Sequence, residues 1–233
     1  MSKPPIILAL DTPNLELAQR WVECTGDYIS AYKLGLEFFL THGAEGVRQI
    51  QNNTDLDLFL DLKLHDIPNT VAKAALQVAE LSPRFLTVHA SGGSAMIEKA
   101  VTAVPDSAIT AVTILTSLSE DDLKEIGFER SALDSAVGLA ILAVNAGARA
   151  IVCSPLEIAA IANEISENVL IITPGVRALE DVGKDDQSRV MTPRKALEAG
   201  ADLLVIGRPI TGFWEKGEGA MRERARAIAG ELS

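Results

Sequence analysis

The chain has 233 residues, 48% of them hydrophobic and 4% aromatic, with a formal net charge of −11. That acidic balance argues against nucleic acid or an anionic membrane as the main partner, since both attract basic surfaces. The length fits one large domain or two small ones, and a composition dominated by Ala, Leu, Ile and Val suits a sizeable α/β core.

Along the chain, short apolar segments alternate with segments of helical period. The first strand is read at Ile6–Asp11, followed by a helix near Leu15–Cys24. Its apolar run is too short for a signal peptide or a membrane span, and no later run is long enough. A strand at Tyr28–Gly35 leads to a helix near Phe38–Gln51. The third strand, Asp57–Leu64, precedes a helix near Thr70–Leu81, with Pro68 near its start, where a missing N–H costs little. Phe85–Ala90 and a helix near Gly93–Val104 come next, then Ile109–Leu115 and a helix near Ser131–Ala146 closed by Gly147. Ala150–Ser154 is followed by Pro155 and a helix near Leu156–Ile165, and Val169–Val176 by a long polar segment before the helix near Pro193–Ala199 and Gly200. The last unit is Leu203–Ile210 with a helix near Glu218–Leu232. Cys24 and Cys153 are isolated in apolar contexts without zinc-type spacing, which points to buried thiols in a reducing cytoplasm.

Eight strand–helix units without a linker predict one domain over residues 1–233, an α/β fold of the (β/α)8 TIM-barrel type. The runner-up, an open doubly wound sheet, lacks a GxGxxG after the first strand. A barrel demands that functional residues lie at the C-terminal ends of strands. Asp11, Lys33, Asp61 and Lys63 end the first three strands; Thr116 and Ser117 follow the fifth, Pro174 to Arg177 the seventh, and Gly207 and Arg208 end the eighth. In the third strand i and i+2 share a face, so Asp61 and Lys63 point one way and Leu60, Leu62 and Leu64 the other. Asp66 follows in the loop. A structural ion pair is the bland reading of Asp61 and Lys63; charges from four strands converging on one mouth favour a site. Gly207 and Arg208 read as a phosphate grip, and Arg177 to Thr192, with Gly183, Gln187 and Arg189, as a lid. An ordinary surface loop is the alternative there.

These motifs carry a resemblance over the whole chain. Leu8-Ala-Leu-Asp11, Lys33-Leu-Gly35, Asp61-Leu-Lys-Leu-His-Asp-Ile-Pro-Asn-Thr70, Val112-Thr-Ile-Leu-Thr-Ser117, Thr173-Pro-Gly-Val-Arg177, Asp186-Gln-Ser-Arg189 and Ile206-Gly-Arg-Pro-Ile210 are together similar to the compact bacterial orotidine 5′-monophosphate decarboxylases. Leu64 stands where an aromatic residue is usual. The resemblance implies a cofactor-free, metal-free carboxy-lyase that converts orotidine 5′-monophosphate to uridine 5′-monophosphate. It implies that Lys33, Asp61, Lys63 and Asp66 form an alternating charge network with Lys63 as proton donor. Asp11 and Lys33 then contact ribose, Thr116 and Ser117 the pyrimidine edge, and Arg177, Gln187, Gly207 and Arg208 the phosphate, with Pro174 beside them. It further implies a homodimer in which Asp66 and Thr70 reach into the neighbouring subunit's site. His65 reads as a packed or hydrogen-bonded residue without chemistry. Two alternatives stay open: a metal-dependent phosphosugar decarboxylase or aldolase on a related barrel, and a silent barrel that only binds a phosphate ligand.

Overall fold

The computed structural model describes residues 3–177 and 191–232. They form a closed barrel of eight parallel strands in chain order. The strands are β1 (Ile6–Ala9), β2 (Ala31–Gly35), β3 (Asp57–Leu64), β4 (Phe85–His89), β5 (Ala108–Val112), β6 (Ala150–Val152), β7 (Leu170–Pro174) and β8 (Leu203–Ile206). Around them lie α1 (Leu15–Thr25), α2 (Leu36–Gln51), α3 (Pro68–Ala79), α4 (Ser94–Ala103), α5 (Glu120–Glu125), α6 (Ala132–Asn145), α7 (Ile158–Ala162), α8 (Pro193–Glu198), α9 (Arg208–Thr211) and α10 (Glu218–Glu231). This is the (β/α)8 barrel expected from the sequence.

The strand alternation divides the core in two. Ile7, Ala31, Phe59, Phe85, Ala150 and Ile172 point inward and fill the barrel, with the Phe59 and Phe85 rings 5.6 Å apart. The other parity, including Ile6, Leu8, Tyr32, Leu34, Leu60, Leu86 and Val88, packs outward against the helices. Strands buried on both faces read as almost continuous apolar runs, which is why they stand out in the sequence. Helix starts follow local chemistry. The Asn14 side chain caps α1 by accepting from the Leu17 N–H at 2.9 Å, and Pro68 occupies the first turn of α3. Cys24 and Cys153 are both buried free thiols.

Several boundaries differ from the sequence reading. Strands 1, 5, 6 and 7 end two or three residues early: the paired register stops at Ala9, Val112, Val152 and Pro174, and beyond it only single bonds from the Leu10, Thr113 and Cys153 N–H groups to the neighbouring strand continue the first three. The largest difference is in strand 8, expected to reach Ile210. It ends at Ile206, and α9 begins at Arg208, where Pro209 has no N–H to give a ladder. Helix α5 was absent from the sequence reading. Its signal was a capping box: Ser119 Oγ accepts from the Asp122 N–H at 3.2 Å, and the Asp122 carboxylate accepts from the Ser119 N–H at 2.8 Å.

Candidate active site

The C-terminal ends of the strands bring the charged residues together around β3. Leu60 pairs with Leu86 and Leu64 with Val88, so Asp61, Leu62 and Lys63 lie opposite the single residue Thr87 of β4. The strand bulges there, and Lys63 takes a left-handed backbone conformation at φ 47°. Asp61 continues the inward parity of Phe59. The bulge keeps Lys63 beside it, while Leu62 is buried on the helix side. Thus the shared face predicted for Asp61 and Lys63 is present, though the strand is irregular between them.

A chain of alternating charge runs across the mouth. Lys63 Nζ donates to Asp61 Oδ1 at 2.8 Å; Lys33 Nζ lies 3.4 Å from Asp61 Oδ2 and donates to Asp11 Oδ1 at 3.1 Å. Side-chain exposure rises outward, from 11% at Asp61 and 13% at Lys33 to 31% at Lys63 and 67% at Asp11. Burial pushes the Asp61 carboxyl up, but Lys33 and Lys63, with the hydroxyl of Thr87, hold it below the usual carboxylate range. Burial disfavours the Lys33 ammonium, yet Asp61 and Asp11 outweigh it and leave its pKa raised. Both groups are therefore ionised at neutral pH. His89 ends β4, its ring 5.4 Å from that of His65; burial, then His65 and Lys63, lower its pKa.

A cavity of about 280 Å³ opens above this chain. Asp11, Lys33, Asp61, Lys63, Thr116, Pro174, Arg177, Gly207 and Arg208 line it, all of them singled out in the sequence. Gly207 is a close-approach position: a Cβ there would sit 3.3 Å from Ala9 Cβ and 3.6 Å from Asp11 Oδ2. Asp66, Thr70 and Ser117 do not line the cavity and are exposed. The Asp66 carboxylate accepts from the Ile67 N–H at 2.7 Å. Gln187 and most of the Arg177–Thr192 segment lie outside the described residues; its stem is tied by the Arg177 N–H donating to the Met191 carbonyl at 3.0 Å. His65 is exposed, its ring tilted against that of His89 and close to Gly92. Sequence reasoning missed the apolar wall of Phe59, Val112, Ile114, Val152, Cys153 and Val205. Inward strand parity could have found Phe59, Val152 and Val205. The Cys153 thiol is pushed up to about 12 by burial and stays neutral.

The profile of the orotidine 5′-phosphate decarboxylase / HUMPS family matches residues 4–221. The chain belongs to this family. It is 50% identical over 228 residues to the orotidine 5′-phosphate decarboxylase of Thermobifida fusca (strain YX), covering 98% of this chain and 95% of that one. The orotidine 5′-phosphate decarboxylase of Paramagnetospirillum magneticum is 42% identical, covering 95% and 97%. Among solved structures, the Lactobacillus acidophilus orotidine 5′-phosphate decarboxylase superposes with a TM-score of 0.85 at 33% identity, covering 99% of this chain and all of that one. The family match extends over all eight strands, so the whole mouth falls within it.

Proposed function

We propose that the chain decarboxylates orotidine 5′-monophosphate to uridine 5′-monophosphate without a cofactor, through Lys63. The observation that carries this reading is the Lys33–Asp61–Lys63 charge chain at the barrel mouth, in a family whose named relatives are decarboxylases of this substrate. Breaking the bond between C6 and the carboxylate carbon releases CO2 and leaves the electron pair in an sp2 orbital at C6. No π system delocalises that pair, so a fixed cation must meet it. Lys63 supplies the cation and then the proton, leaving a neutral amine that solvent reprotonates. Asp61 aims the Lys63 ammonium through their 2.8 Å contact; at about 4 Å an ion pair at an effective dielectric near 20 is worth about 4 kcal/mol, enough to select a rotamer.

Asp11 and Lys33 are assigned to the ribose, Thr116 and Ser117 to the pyrimidine edge, and Pro174, Arg177, Gln187, Gly207 and Arg208 to the phosphate end. Asp66 and Thr70 are assigned to the neighbouring subunit's site in a homodimer. Their exposure, outside their own chain's cavity lining, supports that assignment. Orotidine 5′-monophosphate absorbance followed in EDTA-containing buffer tests the reading, with turnover expected at the rate seen without chelator. No turnover, or turnover only after Mg²⁺ is added, would overturn it; the second result would favour the metal-dependent phosphosugar type of chemistry.

A further inference from the structure

Thr87 is the residue of β4 that faces the bulge, and its side chain has no exposed surface. It continues the inward parity of Phe85 but does not line the cavity, so it lies beneath the charged residues rather than beside a ligand. Its hydroxyl makes two directed bonds. Thr87 Oγ1 accepts from the Lys63 backbone N–H at 2.8 Å and donates to Asp61 Oδ1 at 3.0 Å. The same Asp61 oxygen accepts from Lys63 Nζ at 2.8 Å. The three residues therefore close a ring: Lys63 backbone to Thr87, Thr87 to Asp61, and Asp61 to the Lys63 ammonium.

The bulge creates the need for this ring. With three residues opposite one, the Lys63 N–H has no ladder carbonyl to meet, and a buried backbone donor requires a partner. A lysine at φ 47° also occupies a region that non-glycine residues rarely adopt, and such a conformation persists only where its surroundings over-determine it. Valine would fill the same space and supply neither bond. Serine would supply both.

We propose that Thr87 is a positioning residue for the reaction, its hydroxyl binding the Lys63 backbone and the Asp61 carboxylate into one unit that aims the ammonium before substrate arrives. This rests on the reading of Lys63 as proton donor. Lys33, Lys63 and Asp11 are the charged groups of the mouth chain around Asp61, and His89 ends the strand that carries Thr87. Without the hydroxyl, Asp61 loses a donor and Lys63 loses the anchor of its backbone. Misplacement of a reacting group by about 1 Å costs on the order of 10²-fold in rate.

The test compares Thr87→Val and Thr87→Ser with the wild-type enzyme. In Thr87→Val, kcat should fall on the order of 10²-fold with KM changed by less than about threefold, the split expected when a transition-state interaction is lost. Thr87→Ser should recover most of the rate. The Asp61 carboxylate carbon, titrated by NMR, should protonate at higher pH in the valine variant, a shift that loss of packing alone does not cause. Should Thr87→Val fail to fold, Thr87→Ala carries the same comparison with serine. Wild-type kcat in the folded valine or alanine variant, or equal losses in the serine variant, would overturn the proposal. A wild-type enzyme inactive on orotidine 5′-monophosphate would instead overturn the decarboxylase reading, and the Asp61 titration would still report whether the hydroxyl holds that carboxylate.

Discussion

Asp61 is the residue on which the mouth depends electrostatically. It is almost buried, and each of its oxygens faces an ammonium, Lys63 on one side and Lys33 on the other. Removing one partner of a buried charge cluster leaves the others uncompensated, a larger effect than the net worth of the pair. Asp61→Asn should therefore lower thermal stability by at least about 1 kcal/mol, or roughly 2–4 °C for a chain of this size. The difference should also depend on pH. The folded Asp61 carboxyl is held below its ordinary value of 3.8, so its contribution is present above that value and is lost as pH falls through the lower folded value. Melting wild type and Asp61→Asn side by side should give a constant gap from neutral pH down to about 4, narrowing below. A gap that is flat or widening under strongly acid conditions would mean that Asp61 is not held ionised by its neighbours.

At the level of elements, the β8–α9 junction positions one end of the cavity. The strand stops at Ile206, Gly207 passes close to Ala9, and the α9 turn starts with Arg208 at the cavity wall. If Arg208 grips the phosphate, that grip is remote from C6 and yet can contribute to catalysis, since binding energy from a non-reacting group can be used at the reacting centre. Arg208→Ala should lower kcat/KM for orotidine 5′-monophosphate far more than for orotidine lacking the phosphate, and phosphite should recover less of the rate with the truncated substrate than it does in wild type. Equal damage to both substrates would assign Arg208 to the fold instead. The location of Arg208 was legible in the sequence because barrel sites gather at strand ends, and Gly207-Arg208 follows the eighth apolar run. The turn to helix at that point was not, since four residues of helix leave no periodic trace. The β3 bulge was equally hidden. Alternation over Asp57–Leu64 put Asp61 and Lys63 on one face, but register against β4 is a property of the pair of strands, and it made Thr87 a partner that one strand's pattern cannot reveal. Asp66 was legible as a charged residue past the strand, yet nothing in one chain's sequence pattern tells which subunit's cavity a loop side chain serves.

For the whole molecule, the question is whether one chain holds a complete site. Its own cavity contains Lys33, Asp61 and Lys63, whereas Asp66 and Thr70 stand exposed beyond it. Large apolar side chains are exposed in the same part of the barrel: Ile67 is 66% exposed at the start of α3 and Leu76 50% further along it, and Leu36 and Leu40 are 49% and 80% exposed on α2. Helices α2 and α3 follow the adjacent strands β2 and β3, and the loop that carries Asp66 joins β3 to α3. A two-fold pairing across this face would bury them and carry each Asp66 toward the partner's mouth, and two-fold dimers are the commonest symmetric assembly. Lys63→Ala and Asp66→Ala should each fold and each be nearly inactive as pure dimers. Mixed and refolded together, they should regain activity, because the hybrid builds one site with Lys63 from the Asp66→Ala chain and Asp66 from the Lys63→Ala chain. The opposite site carries both defects, and random pairing of equal amounts limits recovery to about a quarter of the wild-type rate. Hybrids verified by mass spectrometry that remain inactive would place Asp66 in its own subunit's site and remove the shared-site arrangement.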